Sequence, residues 1–499
     1  MDTFSNIIYG FSVALQPTNL LFCFIGVFLG TLIGVLPGIG PVGALSILLP
    51  ITYYLNPVTS IIMMAGIFIG TQYGGSTTSI LVNIPGEASS VATCFDGYAM
   101  CRKGRAGPAL GISAFSSFIA GTLSVFGLAV FSSALARFGL RFGPPEFFSL
   151  MILALTMVSY LARGSMIKAL IMAAWGLLLS SVGKDLVTGK DRFVFGIPFF
   201  LDGINLIPIL MGLFGISEVV SNMEVSIKRE VFVKRIGGLF PDARDWKDSI
   251  GAIFRGGFVG FFLGAVPGVG TIIPTFLAYG IEKKISKTPE RFGEGMIQGV
   301  AAPEAANNAA AQASFIPLFS LGIPSTAVMA ILMSALMIHG LQPSPLMIQN
   351  NPDLFWGVVS SMYIGNVMLL ILNLPLIPLW VQILRVPYSL LFPLILIFST
   401  VGSYAIRNNV GDLIVMIAFG FIGYLIKKLK FEPAPLILAF ILGPLIEVAF
   451  RQSLTISRGN LAIFLTRPMS LILLTITIIL LGSSLLFKRK IDVIKDHEE

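Results

Sequence analysis

The stretch GVLPGIGPVG, residues 34–43, interrupts an apolar run that would otherwise read as one membrane helix. Proline lacks a backbone N–H and clashes with the carbonyl four residues back, so Pro37 ends the helix there. Gly38 and Gly40 then permit backbone conformations that other residues avoid. The same punctuation returns in the second half of the chain, as GAVPGVGTII at 264–273, with Pro267, Gly268 and Gly270 in the places of Pro37, Gly38 and Gly40. The fold reading starts from this repeated break.

The surrounding chain is built for a bilayer. Of 499 residues, 55% are hydrophobic and 12% charged, with a mean hydropathy of +0.88, whereas soluble proteins carry about 25% charged residues. A crossing needs about 20 apolar residues. Runs of that order occupy 19–36, 58–82, 109–135, 146–162, 165–182, 204–220, 354–382, 388–406, 410–426, 433–450 and 469–487. They predict an all-α polytopic membrane protein with roughly 12 crossings, the number blurred wherever Gly and Pro interrupt. A barrel is excluded because the runs are continuous rather than alternating. The first residues, MDTFSNIIYG, contain no Lys or Arg, so a cleaved signal is not expected and the chain is read as beginning with its own helix. Cys23, Cys94 and Cys101 lack metal-ligand spacing and read as packed small residues.

The net charge of +8 is topological rather than a nucleic-acid signal. Basic residues gather in short loops: Arg102, Lys103 and Arg105; Lys228 to Arg255; Lys283 to Arg291; Lys427, Lys428 and Lys430; and the tail from Lys488. The positive-inside rule makes these cytoplasmic. The chain divides accordingly into a first transmembrane repeat, 1–221, a basic cytoplasmic linker, 222–255, and a second repeat, 256–499.

The halves echo one another beyond the breaks. YGGSTTSILVNIPGEAS at 73–89 is answered by NNAAAQASFIPLFSLGIPSTAV at 307–328, and their Ile-Pro pairs, Ile84-Pro85 and Ile323-Pro324, are spaced only slightly more widely than the two breaks. Charge at matched places is opposite. PITYYLNP at 50–57 has no base, while IEKKISKTPER at 281–291 has four; Arg102, Lys103 and Arg105 follow the first Ile-Pro motif, while GLQPSPLMIQNNPD at 340–353 has none. An inverted-topology repeat follows, with the site near the midplane between the copies. About 26 residues separate the basic loops at 244–255 and 282–291, too few for two spans, so the second break is expected to be the turn of a re-entrant hairpin. Such backbone at membrane depth is tolerated only where protein buries it or water reaches it.

A helix that starts inside the membrane offers unpaired N–H groups and a partial positive charge to an anion. The candidate substrate-binding residues are Gly38, Gly40, Ser76, Thr77, Thr78, Asn83 and Gly86 in the first half, and Gly268, Gly270, Asn307, Asn308, Ser325 and Thr326 in the second. No Lys or Arg stands in the break motifs. A helix end contributes roughly 0.3–1 kcal/mol per charge, up to about 2 when partly buried, too little for a multiply charged anion, so co-transport of Na⁺ or H⁺ is expected. In APEAANNAAAQA, 302–313, Glu304, Asn308 and Gln312 share one helix face. Glu304 and Asn308 are the ion-coupling candidates, since an acid at membrane depth is a functional candidate. Glu87 and Asp96 read as helix-start or water-interface residues, and His339 as structural. No catalytic residue, resident cofactor or metal beyond a possible Na⁺ is expected. H-E-x-x-H, G-x-S-x-G and a P-loop are all lacking, and the chain has two histidines. A cation transporter or channel needing no binding protein is the alternative reading, and a membrane enzyme a weaker one.

The ordered motifs resemble the large membrane subunit of the tripartite tricarboxylate transporters. They are GVLPGIGPVGALSILLP, YGGSTTSILVNIPGEASSVAT, DGYAMCRKGRAGPALG, GLLLSSVGKDLVTGKDRFVFG, DGINLIPILMGLFGISEV, VPGVGTIIPTFLAY, GVAAPEAANNAAAQ, PLFSLGIPSTAVMA and HGLQPSP. Ser325 and Ser344 stand where glycine is common, and Leu186 where proline is. The resemblance implies secondary transport of a citrate-like organic carboxylate in the inner membrane of a prokaryote. It also implies a small membrane subunit and an extracytoplasmic solute-binding protein as partners. With the charge pattern, the N-terminus is expected outside and the C-terminus in the cytoplasm.

Overall fold

The computed structural model describes residues 3–36, 39–161, 165–185, 188–224, 238–383 and 388–495, with side chains at all of these but 388–389 and 484–495. Apart from a short hairpin, Gly183–Lys184 with Asp191–Arg192, these residues fold as helices and their connections. Among them, nine helices are long and apolar enough to cross a membrane, and four shorter apolar helices accompany them: Gly40–Tyr54, Met166–Ser180, Ala327–Ile338 and Pro468–Ser483. The chain is therefore an all-α polytopic membrane protein. Of the shorter helices, Gly40–Tyr54 and Ala327–Ile338 each begin just after a proline-containing break, where proline cannot continue a helix.

Burial separates core from lipid-facing shell. The Pro57–Val82 helix is 94% buried along its most apolar window, while Leu390–Arg407 is 17% buried. Asn56 caps the former by accepting the Thr59 N–H at 2.9 Å, and Pro57 opens it, a position where the missing N–H costs nothing. The Gln298–Ala313 helix is buried from Gly299 to its end.

These two buried helices each receive a glycine-ridged partner. Gly26, Gly30 and Gly34 of the Pro17–Val35 helix lie so close to Met63, Ile67 and Thr71 that an added Cβ would sit 2.3, 2.3 and 2.5 Å from those carbonyl oxygens. Gly256, Gly260 and Gly264 of the Ala243–Gly264 helix meet Ala302, Ala306 and Ala310 with closest approaches of 2.3, 2.3 and 2.4 Å. Small residues at every fourth place let helix backbones touch. Gly26 and Gly256 are spaced along the chain as Pro37 and Pro267 are, and their partners Met63 and Ala302 as Pro85 and Pro324 are. The packing ridges therefore obey the same internal repeat as the breaks and the Ile-Pro loops.

The breaks follow their sequences. Leu36, before Pro37, is extended at φ −91°, ψ 102°, as a residue preceding proline prefers. The helix resumes at Gly40, φ 62°, and the second break turns through Gly268 and Gly270 at φ 87° and 64°. Arg255 and Glu282 join the helices on either side of the second break with two hydrogen bonds, 2.6 and 2.8 Å. The Ala243–Gly264 helix begins inside the segment read as a linker, capped by Asp242, which accepts the Asp245 N–H at 2.7 Å. Residues 225–237 of that segment lie outside the described residues.

Candidate functional site

Both breaks and both Ile-Pro loops reach one cavity of about 580 Å³. Ile39, Gly40, Pro41 and Val42 line it from the first break, and Gly270, Thr271 and Ile272 from the second. Pro85 to Ser89 face it from the first loop, and Thr326, Ala327 and Val328 from the second. Phe68, Gln72, Val91 and Phe214 complete the wall. Phe214 belongs to a π-helical turn, Met211–Ile216, a wide-turn irregularity frequent at functional sites.

Each of the four segments is the start of a helix: Gly40–Leu48, Ile272–Ile285, Ala327–Ile338, and the helical stretch that opens at Ala88 and continues as Val91–Arg102. The first N–H groups of a helix have no partner within it, and they carry the positive end of its dipole. The two loops also match in conformation. Asn83 ends its helix left-handed at φ 57°, ψ 28°, and Gly322 at φ 70°, ψ 29°. Four residues later Glu87, at φ −144°, ψ 166°, and Thr326, at φ −144°, ψ 169°, cap the next helices.

Of the residues singled out from the sequence, Gly40, Gly86, Gly270 and Thr326 line the cavity. Gly38 lies outside the described residues. Gly268 donates its N–H to the Ser325 carbonyl at 2.8 Å, and a Cβ there would meet the backbone of Met157 and Val158 at 2.8 Å, so this half-buried turn packs against protein on that side. Ser325 turns its hydroxyl to the Ser314 carbonyl, 3.1 Å, where matched Gly86 donates its N–H to the Gly75 carbonyl, 3.4 Å. Thr78 donates to the Gly75 carbonyl one turn back, Thr77 is buried, and Asn83 is exposed; none of these three lines the cavity.

Behind the cavity wall lies a buried polar network. Glu304, 1% exposed, accepts from the hydroxyls of Ser76 at 2.6 Å, Thr93, and Ser117 at 3.3 Å. Asn308 donates to Ser117 at 2.7 Å and to the Glu304 carbonyl at 3.2 Å. Asn307 donates to the Glu87 carboxylate at 2.8 Å, which also accepts from Ser89 at 2.7 Å; Ser89 in turn approaches Gln72 at 3.3 Å. Among the described residues neither carboxylate pairs with a basic side chain.

Glu87 is both the helix start expected of it and part of the cavity wall. Asp96 is structural: its carboxylate gathers the N–H groups of Gly293, Gly295 and Met296 and the Tyr279 hydroxyl. Gln72, Ser89 and Phe214 line the cavity but were not singled out from the sequence. The period of the helix does place Gln72 one turn before Ser76, and that was the available signal. A second cavity, about 250 Å³, is bordered by Asp185, Arg192, Glu447 and Arg451. Those four charges pair with one another, Arg451 with Asp185 at 2.8 Å and Arg192 with Glu447 at 3.1 Å, and neither break reaches it.

An uncharacterised 52.8 kDa protein of the TAR-I ttuC' 3' region of Agrobacterium vitis is 49% identical over 476 residues, 95% of each chain. A second uncharacterised protein of that organism, from the TAR-II ttuC' 3' region, is 50% identical over 215 residues, 43% of this chain and 89% of its own. No solved structure matches. The profile described as the tripartite tricarboxylate transporter TctA family matches residues 20–438. The chain belongs to that family, which supplies the large subunit of a tripartite transporter.

Proposed function

We propose that the chain carries an organic carboxylate anion of tricarboxylate type inward across the cytoplasmic membrane of a prokaryote. The small membrane subunit and an extracytoplasmic binding protein work with it, and a co-transported cation drives it. The observation that carries this reading is the meeting of four helix starts on one cavity, two from each half. Such starts favour anions, and among the described residues no basic side chain lines the cavity to hold an anion fixed.

The magnitudes require a partner charge. Four helix ends at roughly 0.3–1 kcal/mol each offset a few kcal/mol. Two like charges about 4 Å apart cost about 4 kcal/mol at an effective dielectric of 20. A polyanion beside Glu87 therefore enters only with positive charge, and a symported cation supplies it. The matched glycine ridges, left-handed helix ends and capping positions support a two-fold repeat. The opposite charge of matched loops supports its inversion, with the halves rocking about the cavity to expose it to either side.

Uptake of radiolabelled citrate into proteoliposomes, with both partners present, tests the reading. Thr326→Ser retains cap and charge, and uptake is expected near the parent level. Thr326→Asp also caps a helix but adds a negative charge to the cavity, and uptake is expected to fall at least tenfold. Equal uptake by both variants, or none by the parent protein under any ion gradient, would refute anion transport through this cavity.

A further inference from the structure

Where each Ile-Pro loop caps the next helix, the residue is Thr326 in the second half and Glu87 in the first. A carboxylate with no basic partner among the described residues thus stands in the wall of a cavity otherwise disposed toward anions. Asn307 turns its NH₂ to that carboxylate, and its amide oxygen, on a side chain 1% exposed, accepts no hydrogen bond among the described residues. The amide oxygen of Asn308 is likewise without a donor among them, its NH₂ being taken by Ser117 and the Glu304 carbonyl. Buried acceptors are rarely left without a partner. Here the amide groups of Asn307 and Asn308 stand beside Glu87 and Glu304, and among the described residues no basic side chain pairs with either carboxylate. A hard monovalent cation takes such a set of oxygens, combining carboxylate, amide and hydroxyl.

We infer that Glu87 and Asn307 form a sodium site beside the cavity, filled before the anion enters, with the Asn307 amide turned so that its oxygen rather than its NH₂ meets the ion. The inference rests on the transport reading and deepens it. Sodium neutralises Glu87, so the anion meets four helix starts and a cation instead of a carboxylate. The Thr326 side has no acid at the corresponding place, which leaves that wall to the anion. Order of binding follows from charge: the anion is repelled until sodium is in place, and its arrival then holds the sodium.

Equilibrium binding of ²²Na⁺ to the purified full-length chain, without carboxylate, tests the site. The parent protein is expected to bind sodium saturably. Glu87→Gln and Asn307→Ala are expected to weaken binding at least tenfold, while Glu87→Asp keeps the charge and retains measurable binding. Glu146→Gln alters a buried acid that accepts the Gly143 N–H and does not line the cavity, and is expected to bind as the parent does. Each variant is first shown to be monodisperse by gel filtration, and Asn307→Ala stands in should Glu87→Gln not fold. Parent-like binding by a folded Glu87→Gln or Asn307→Ala overturns the site, as does a parent protein that binds no sodium. If citrate uptake then follows a proton gradient, transport survives and the sodium site does not. If sodium binds as expected but no carboxylate is taken up, the site stands and the transport reading falls.

Discussion

Asn83 illustrates how a polar residue near a site acts through its backbone. Its side chain is exposed and lies away from the cavity, yet its φ of 57° ends the Pro57–Val82 helix and aims the Ile-Pro loop inward. Glycine does the same at 322. Asparagine tolerates this left-handed state better than most residues, and a β-branched side chain strongly opposes it. Asn83→Gly is therefore expected to leave uptake and melting temperature within a few degrees of the parent. Asn83→Val should lower stability by roughly 1–2 kcal/mol, seen as an earlier melt in detergent. A large loss of uptake by a stable Asn83→Gly would instead assign the side chain a role in binding. The hydroxyl of Thr78 carries a similar lesson: it looks like a ligand in the sequence, but bonds a carbonyl of its own helix, as buried threonines in helices commonly do.

At the scale of elements, two helix pairs carry the architecture, and glycine spacing makes each pair possible. A Cβ at Gly30 would stand 2.3 Å from the Ile67 carbonyl oxygen, and one at Gly260 2.3 Å from that of Ala306. Neither contact is with a flexible side chain that could move aside. Gly30→Val and Gly260→Val are each expected to force the pair apart and sharply reduce folded protein in the membrane. Gly280→Ala serves as the comparison, since nothing lies within 4 Å of its added Cβ, and should express normally. Similar yields for all three by fluorescence-detected gel filtration would mean that the glycine ridges are not the packing surfaces described. The breaks themselves were legible because proline and glycine impose their conformations locally. The spacing that carries Pro37 onto Pro267, and the slightly wider one that carries Pro85 onto Pro324, were legible too. The glycine ridges obey both, although isolated glycines in an apolar run give no sign of which helix they face.

At the scale of the molecule, what stayed hidden was the set of contacts that joins the halves. Glu87 meets Asn307, and Ser76 meets Glu304, each pair bringing one residue from either half of the chain. A glutamate after Pro-Gly looks like an ordinary cap in sequence, and only the folded chain sets it in a cavity wall. Gln72 and Phe214 were hidden for the same reason, because a turn of buried helix gives no sign of which face meets the other half. The number of crossings was less legible: hydropathy sums over breaks, so it does not separate half-length helices such as Ala327–Ile338 from full spans.

The central claim, that two oppositely oriented halves close on one cavity, is tested most directly by sidedness at matched positions. Tyr54 and Lys284 are both exposed and spaced as the two breaks are, each near the end of its broken element. Single cysteines at these two places, in a chain whose buried Cys23, Cys94 and Cys101 have been replaced, are probed in intact cells with a membrane-impermeant maleimide. Tyr54→Cys is expected to react from outside, and Lys284→Cys only after the membrane is opened. Labelling of both from the same side would contradict the inverted arrangement and, with it, the alternating cavity.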